Sequence, residues 1–171
     1  AGLRLSQQPD ALKAMRRKVQ MVFQDSYASL NPRMSIEASI MFGPVAQGVP
    51  RDAARRTAHD LLARVGLEPA RFAGRYPHEV SGGQRQRVNI ARALALRPEV
   101  VIFDEAVSAL DKSVEIQVLN LLQDLKTEFG LTYLFISHDL NVVQDVYDRP
   151  AHPYTRALLA SMPSMDPRNR T

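Results

Sequence analysis

The chain has 171 residues, of which 45% are hydrophobic and 23% charged, and a formal net charge of +4. That length suits one domain with a real core, or a lobe with a small subdomain, and the composition is that of an ordinary globular protein. The absence of cysteine excludes disulfides, thiolate zinc sites and cysteine-ligated iron–sulfur clusters, and no apolar run approaches the ~20 residues that span a bilayer. Lysine occurs only at positions 13, 18, 112 and 126, so arginine carries most of the basic balance. A small positive charge permits an anionic partner but equally describes solvated surface. No signal peptide is evident at the N-terminus, and a chain opening on Ala1 reads as processed or as a fragment.

In chain order, "KVQMVFQD" (Lys18 to Asp25) predicts a short buried strand ending in polar residues. "SYASLNPRMS" reads as a loop, and Ile36 to Phe42 as a short helix that "GPVAQGVP" interrupts. Pro50 opens a helix from about Arg51 to Val65, closed by Gly66, with Ala54, Ala58, Leu61, Leu62 and Val65 on one apolar face. "GLEPARFAGRYPHEVSGG" is expected to be irregular. A basic helix then runs from the glycine pair Gly82–Gly83 to about Leu96. "EVVIFDEA" is a continuous apolar run closed by two acids, the pattern of a central parallel strand. Ser113 to Phe129 reads as a long helix with Val114, Val118, Leu121, Leu122 and Leu125 inward and Gly130 as its stop, followed by a second buried strand in "LTYLFISHD". Strand, helix, strand at this spacing predicts a right-handed crossover unit. "HPYTRALLASMP" offers one short C-terminal helix and a polar tail from Asp166.

Three apolar strands thus end in polar groups: Gln24, the pair Asp104–Glu105, and His138. In open parallel sheets ligands sit beyond the carboxyl ends of the strands, so these residues can meet. Asp104 off a buried strand can hold Mg²⁺, Glu105 can polarise a water, His138 can donate to a terminal phosphate, and Gln24 can complete the metal shell. The plain alternatives are strand-end caps and local packing. Serine and two glycines before a helix leave bare N–H groups at its positive end, where a phosphate fits; glycines there also occur as linkers. His59 reads as surface, His78 and His152 as turn residues, and no spacing argues for a protein-built zinc site.

In combination these motifs resemble the ATP-binding subunit of ATP-binding cassette (ABC) transporters. "VSGGQ" (Val80 to Gln84) is similar to the family signature, with valine where leucine is usual. "VVIFDE" resembles the Walker B strand, "SALD" (Ser108 to Asp111) the D-loop, "ISHD" the switch histidine and "VFQD" the Q-loop. "FQDSYASLNPRMS", "DEAVSALD" and above all "HPYTRALLASMP" are similar to the branch that powers oligopeptide, dipeptide, nickel or glutathione uptake. The resemblance implies an α/β fold of the RecA-like P-loop NTPase kind, incomplete here. It implies a helical subdomain with the signature over about 26–97, a core part over 98–144 and a C-terminal extension over 145–171.

It also implies ATP and Mg²⁺ as cofactors. Glu105 would be the general base or water-polarising carboxylate and His138 the γ-phosphate contact, with Asp104 and Gln24 on the metal. Ser81, Gly82, Gly83 and Gln84 would clasp ATP held by a second cassette, and Asp111 would couple the two. Further partners implied are membrane-embedded permease subunits and, indirectly, a periplasmic or extracellular solute-binding protein, with the chain peripheral on the cytoplasmic face of the inner membrane. No aromatic-laced basic patch suggests base stacking, so nucleic acid is not expected.

The departures are as specific as the matches. No lysine follows a glycine, so GxxxxGK[ST] does not occur, and only 23 residues precede Gln24. Without that loop the β- and γ-phosphates lack their cradle, so the chain is expected not to hydrolyse ATP by itself. By the family pattern roughly 25 residues are also missing near Gln144 and Asp145. The absent phosphate-loop strand is expected beside the Walker B strand, leaving apolar strand edges open without it. A cassette that only pairs with intact subunits, or a nucleic-acid-associated ATPase of the same superfamily, stand as alternatives.

Overall fold

The computed structural model describes residues 9–137. His138, the neighbourhood of Gln144 and Asp145, and the "HPYTRALLASMP" extension lie outside the described residues. Helix α1 (Pro9–Lys18) leads into strand β1 (Val19–Phe23). Helices α2 (Ile36–Ala46), α3 (Arg51–Arg64), α4 (Pro69–Phe72) and α5 (Gly82–Leu94) follow. Strand β2 (Val100–Asp104), helix α6 (Lys112–Phe129) and strand β3 (Thr132–Ile136) complete the series.

The strands form one parallel sheet in the order β1-β2-β3. Val19 pairs with Val100 and Phe23 with Asp104, while Val100 pairs with Thr132 and Asp104 with Ile136, so the three strands start and stop together. Two backbone bonds set that register, from Glu99 N–H to the Lys18 carbonyl (2.8 Å) and from Thr132 N–H to the Glu99 carbonyl (3.0 Å). The expected strand neighbours are corrected by this order. The Walker B-like strand β2 is hydrogen-bonded on both sides, so no further strand can pair with it; among the described residues the open edges belong to β1 and β3.

One sheet face is buried through Val22, Val101, Phe103 and Tyr133. Phe103 and Phe135 sit opposite each other in register and stack at 4.7 Å, and Tyr133 meets Phe103 edge-on at 4.9 Å. The opposite face carries Met21, Ile102 and Leu134 in one row and Phe23, Asp104 and Ile136 in the next. Phe23, Leu134 and Ile136 are each about half exposed.

Helices α2, α3 and α5 pack on one another, and α5 also meets β1 and α6. Ile36, Ile40, Ala58, Leu62, Val65 and Val88 are fully buried among them. The five-residue apolar face expected on the 51–65 helix is the buried one, and Gly66 stops that helix at φ +74°.

Two sequence expectations fail locally. Helix α2 continues through Gly43 and Pro44 to Ala46, with Pro44 buried inside it. Gly43 leaves just enough room for Leu96, whose Cγ would lie 3.3 Å from an added β-carbon. The segment 67–81 is not irregular: it holds α4 and a 3₁₀ turn (Pro77–Glu79), each opened by a proline with its φ already set. In α6 the buried Glu115 was invisible to apolar periodicity; Lys112, one turn earlier, pairs with it at 3.1 Å.

Candidate functional site

Because the strands end in register, their first post-strand residues share one edge. Gln24 follows β1, and Asp104 ends β2 with Glu105 next. The Glu105 N–H donates to the Ile136 carbonyl at 2.8 Å, tying the tip of β2 to that of β3. Ser108 ties β2 to β1: its hydroxyl donates to the Glu105 carbonyl (2.8 Å) and accepts from Nε2 of Gln24 (3.1 Å). Glu105 has φ +48°, a left-handed conformation that a non-glycine residue rarely adopts outside sites where strain is retained. The sheet therefore brings Gln24, Asp104 and Glu105 together, and His138 lies outside the described residues.

Among the described residues no group of three His, Cys, Asp or Glu side chains can hold a metal. Mg²⁺ takes one or two protein oxygens and completes its shell with water and phosphate. The fit rests on donor chemistry. With its Nε2 on Ser108, Gln24 has its amide oxygen left for a cation, and Asp104 supplies a half-buried carboxylate one strand away.

The second half of the site is the start of α5. Ser81 and Gln84 form a reciprocal cap: Gln84 N–H donates to Ser81 Oγ (3.3 Å), and Ser81 N–H donates to Gln84 Oε1 (3.0 Å). Arg85 N–H bonds the Ser81 carbonyl at 2.8 Å. Among the described residues the Gly82 and Gly83 N–H groups have no acceptor. The cap was not foreseen as the use of Ser81 and Gln84, although Ser-x-x-Gln is its sequence signature. It leaves the Ser81 hydroxyl hydrogen and the Gln84 amide hydrogens available to an acceptor. Asp111 is the exposed N-cap residue of α6 and makes no side-chain cap bond.

Sequence reasoning missed the contacts between α5 and the loop after Gln24. Nδ2 of Asn89 donates to the Ser26 carbonyl at 3.0 Å, Arg92 donates to the Ser29 carbonyl, and the Arg85 guanidinium lies 5.5 Å from the centre of the Tyr27 ring. Burial lowers the Arg92 guanidinium below its ordinary value. The spacing 85, 89, 92 was the available signal, being one face of a helix.

Residues 3–108 match the family described as "ABC transporter", and residues 140–171 match "Oligopeptide/dipeptide transporter, C-terminal region". The glutathione import ATP-binding protein GsiA of Pectobacterium atrosepticum is 51% identical over 94% of this chain and 29% of its own length. The oligopeptide transport ATP-binding protein AppF of Bacillus subtilis is 51% identical over 88% of this chain and 52% of its own length. This chain thus spans from under a third to about half of these relatives. The GsiA match runs over 183 positions against a chain of 171 residues, so the relative holds residues with no counterpart here.

Among solved structures, cbiO1 from Clostridium perfringens, part of the ABC transporter complex cbiONQ, superposes with a TM-score of 0.72. It is 30% identical over 79% of this chain and 53% of its own. MJ0796, a dimeric ATP-binding cassette bound to ADP and Pi, gives 0.66 at 34% identity over 80% of this chain and 60% of its own. With the strand tips, the capped glycine pair and the family match agreeing, the chain belongs to the ABC transporter family, in its ATP-binding cassette.

Proposed function

We propose that this chain is the nucleotide-binding part of an importer for oligopeptides or a related small solute. One observation carries the reading: the polar residues that end β1 and β2 stand at one sheet edge, linked through Ser108. Mg²⁺–ATP, when bound there, supplies the phosphoryl group and the charge that the metal neutralises. Asp104 and Gln24 would hold the metal shell. Glu105 would orient the attacking water and accept its proton. His138 would contact the γ-phosphate.

Gly82 and Gly83 N–H, with the hydroxyl hydrogens of Ser81 and the amide hydrogens of Gln84, would face ATP held by a second cassette. Asp111 would lie where the two cassettes meet. GxxxxGK[ST] does not occur in these 171 residues, so a nucleotide on this sheet would need a phosphate cradle that they do not supply. That same feature favours a second reading, in which this chain lends its signature to an intact partner's nucleotide and turns over none of its own.

The helical part, about 26–97, is read as the side that meets the permease at the cytoplasmic membrane face. Among the described residues no helix is long and apolar enough to cross a membrane. An apolar groove of about 260 Å³ runs along α2, lined by Met34, Met41, Phe42 and Val45 with Arg51 and Arg55 at its rim. Phe42 is 65% exposed there, and a cytoplasmic helix of a permease would cover it.

The test joins a segment that carries GxxxxGK[ST] to the start of this chain. ATP hydrolysis is expected, and Glu105→Gln is expected to abolish turnover while ATP binding is retained. Undiminished turnover in that variant removes Glu105 from its role. Tight ATP binding by the unextended chain contradicts the second reading.

A further inference from the structure

The end of α3 is closed by a residue of another helix. Helix α3 stops at Arg64 with Val65 as its C-cap, and the last carbonyls of a helix have no partner within it. Nη1 of Arg87, on α5, donates to the Val65 carbonyl at 3.1 Å. A guanidinium placed there also meets the negative end of the α3 dipole. Gly66 makes the room: a β-carbon at that position would lie 2.8 Å from Nη1 of Arg87.

The other arm of the same guanidinium goes to α6. Nη2 of Arg87 donates to Oε1 of Gln117 at 3.2 Å. Gly83, one turn before Arg87, lies against Val114, one turn before Gln117. Helices α5 and α6 thus run side by side for a turn, in contact through Gly83 at its start and through Arg87 at its end. Arg87 and Gln117 also line one cavity of about 360 Å³ with Ser81 and Gln84, so the arginine borders the same space as the capped start of α5. Farther along α6, Glu128 pairs with Arg64, whose guanidinium lies 5.2 Å from the centre of the Phe129 ring. The end of α3 is therefore held to α6 at two places.

We propose that Arg87 is a positioning residue for the signature: by joining α3, α5 and α6 at one guanidinium, it fixes Ser81 and Gln84 relative to Asp111, the N-cap of α6. The consequence for a nucleotide rests on the reading of Ser81 to Gln84 as the face offered to ATP on a second cassette; the junction does not. Both acceptors are neutral, so the junction depends on the fork of the guanidinium rather than on charge alone. A lysine, with a point charge on a flexible stem, does not reproduce that fork.

Hydrogen exchange on the full chain tests the junction. Arg87→Lys and Arg87→Met keep the stem and lose the fork. In both, the amides of Gln84 and Arg85 are expected to lose about fivefold or more of their protection, while amides in β2 keep theirs. Gln117→Glu turns the neutral acceptor into a carboxylate and is expected to raise protection at 84 and 85. That rise is expected to vanish when Arg87→Met is added. Unchanged protection at 84 and 85 in the Arg87 variants overturns the junction. An equal loss across β2 also overturns it, being the mark of a residue that only stabilises the fold. So does a gain from Gln117→Glu that persists without the arginine.

The signature part is read on the chain joined to a segment that carries GxxxxGK[ST], with Glu105→Gln present to prevent turnover. Light scattering follows association with and without Mg²⁺–ATP. Arg87→Met is expected to weaken the ATP-dependent association about tenfold or more, while a fluorescent ATP analogue binds the single chain as before. ATP-dependent association as tight in Arg87→Met as in the parent overturns the positioning role. No ATP-dependent association in the parent, with the exchange results as expected, removes the reading of the signature face and leaves the junction.

Discussion

A β-carbon added at Gly83 would lie 2.5 Å from Cγ1 of Val114, whereas at Gly82 the nearest atom is 3.9 Å away, on the Arg85 guanidinium. The two glycines, equivalent in the sequence, therefore do different things. Gly83 lets the first turn of α5 lie against the first turn of α6, just past Asp111, and Gly82 faces open space. Gly83→Ala forces a methyl into a packed contact, a change that costs ~1–3 kcal/mol when the neighbour is short and stiff, as valine is. Gly82→Ala meets nothing and is expected to leave stability unchanged or raise it by about 0.5–1 kcal/mol. Thermal melts of the two variants decide this, and Val114→Ala is expected to recover part of the Gly83→Ala loss. Equal melting of all the variants would remove the packing role. The glycine pair itself was legible as a helix entry. Its division of labour was not, because Val114 is distant in sequence and only the fold brings it there.

At the scale of the element, both long α/β connections close through left-handed residues, one of them the wrong kind. Helix α6 ends on Gly130 at φ +63°, with its N–H on the Lys126 carbonyl. After α5 the chain turns at Arg97, φ +51°, whose N–H bonds the Leu94 carbonyl at 2.8 Å. A side chain in that conformation costs ~1 kcal/mol that glycine does not. Arg97 is exposed, so Arg97→Gly is expected to raise the denaturant midpoint slightly, and Gly130→Ala to lower it by the equivalent of ~1 kcal/mol. A fall with Arg97→Gly would mean that its side chain holds something the backbone argument overlooks.

Helix positions were legible wherever a stop signal coincided with the end of an apolar face, as at Gly66 and Gly130. They were not legible at Pro44, where a breaker sits inside α2 because tertiary packing outweighs the missing hydrogen bond. The strand tips were legible for a simple reason: buried parallel strands are uniformly apolar, so the first polar residue marks the edge. Which strands are neighbours was not, since order in a parallel sheet is set by crossovers that leave no local trace.

On the scale of the whole molecule, a parallel sheet normally has both faces covered. Here the described sheet buries the face of Val22, Val101, Phe103 and Tyr133, while Phe23, Leu134 and Ile136 on the other face remain 47–50% exposed. The row Met21–Ile102–Leu134 forms an apolar strip across all three strands. Strand β3 also offers an unpaired edge among the described residues, a template for another chain. A strip and an edge of this kind drive self-association, and a single charge in the strip opposes it. Leu134→Lys places an ammonium at the half-exposed edge position without touching the Phe103–Phe135 stack. Light scattering against concentration is expected to show association of the parent chain and clearly less for Leu134→Lys, with far-ultraviolet circular dichroism unchanged. Joining a segment that carries GxxxxGK[ST], the motif these 171 residues lack, is expected to suppress association without any substitution if that segment packs on the same surface. Association undiminished by the lysine would locate the sticky surface elsewhere, on the Phe42 groove in the first instance, and Phe42→Ser would then be the variant that abolishes it.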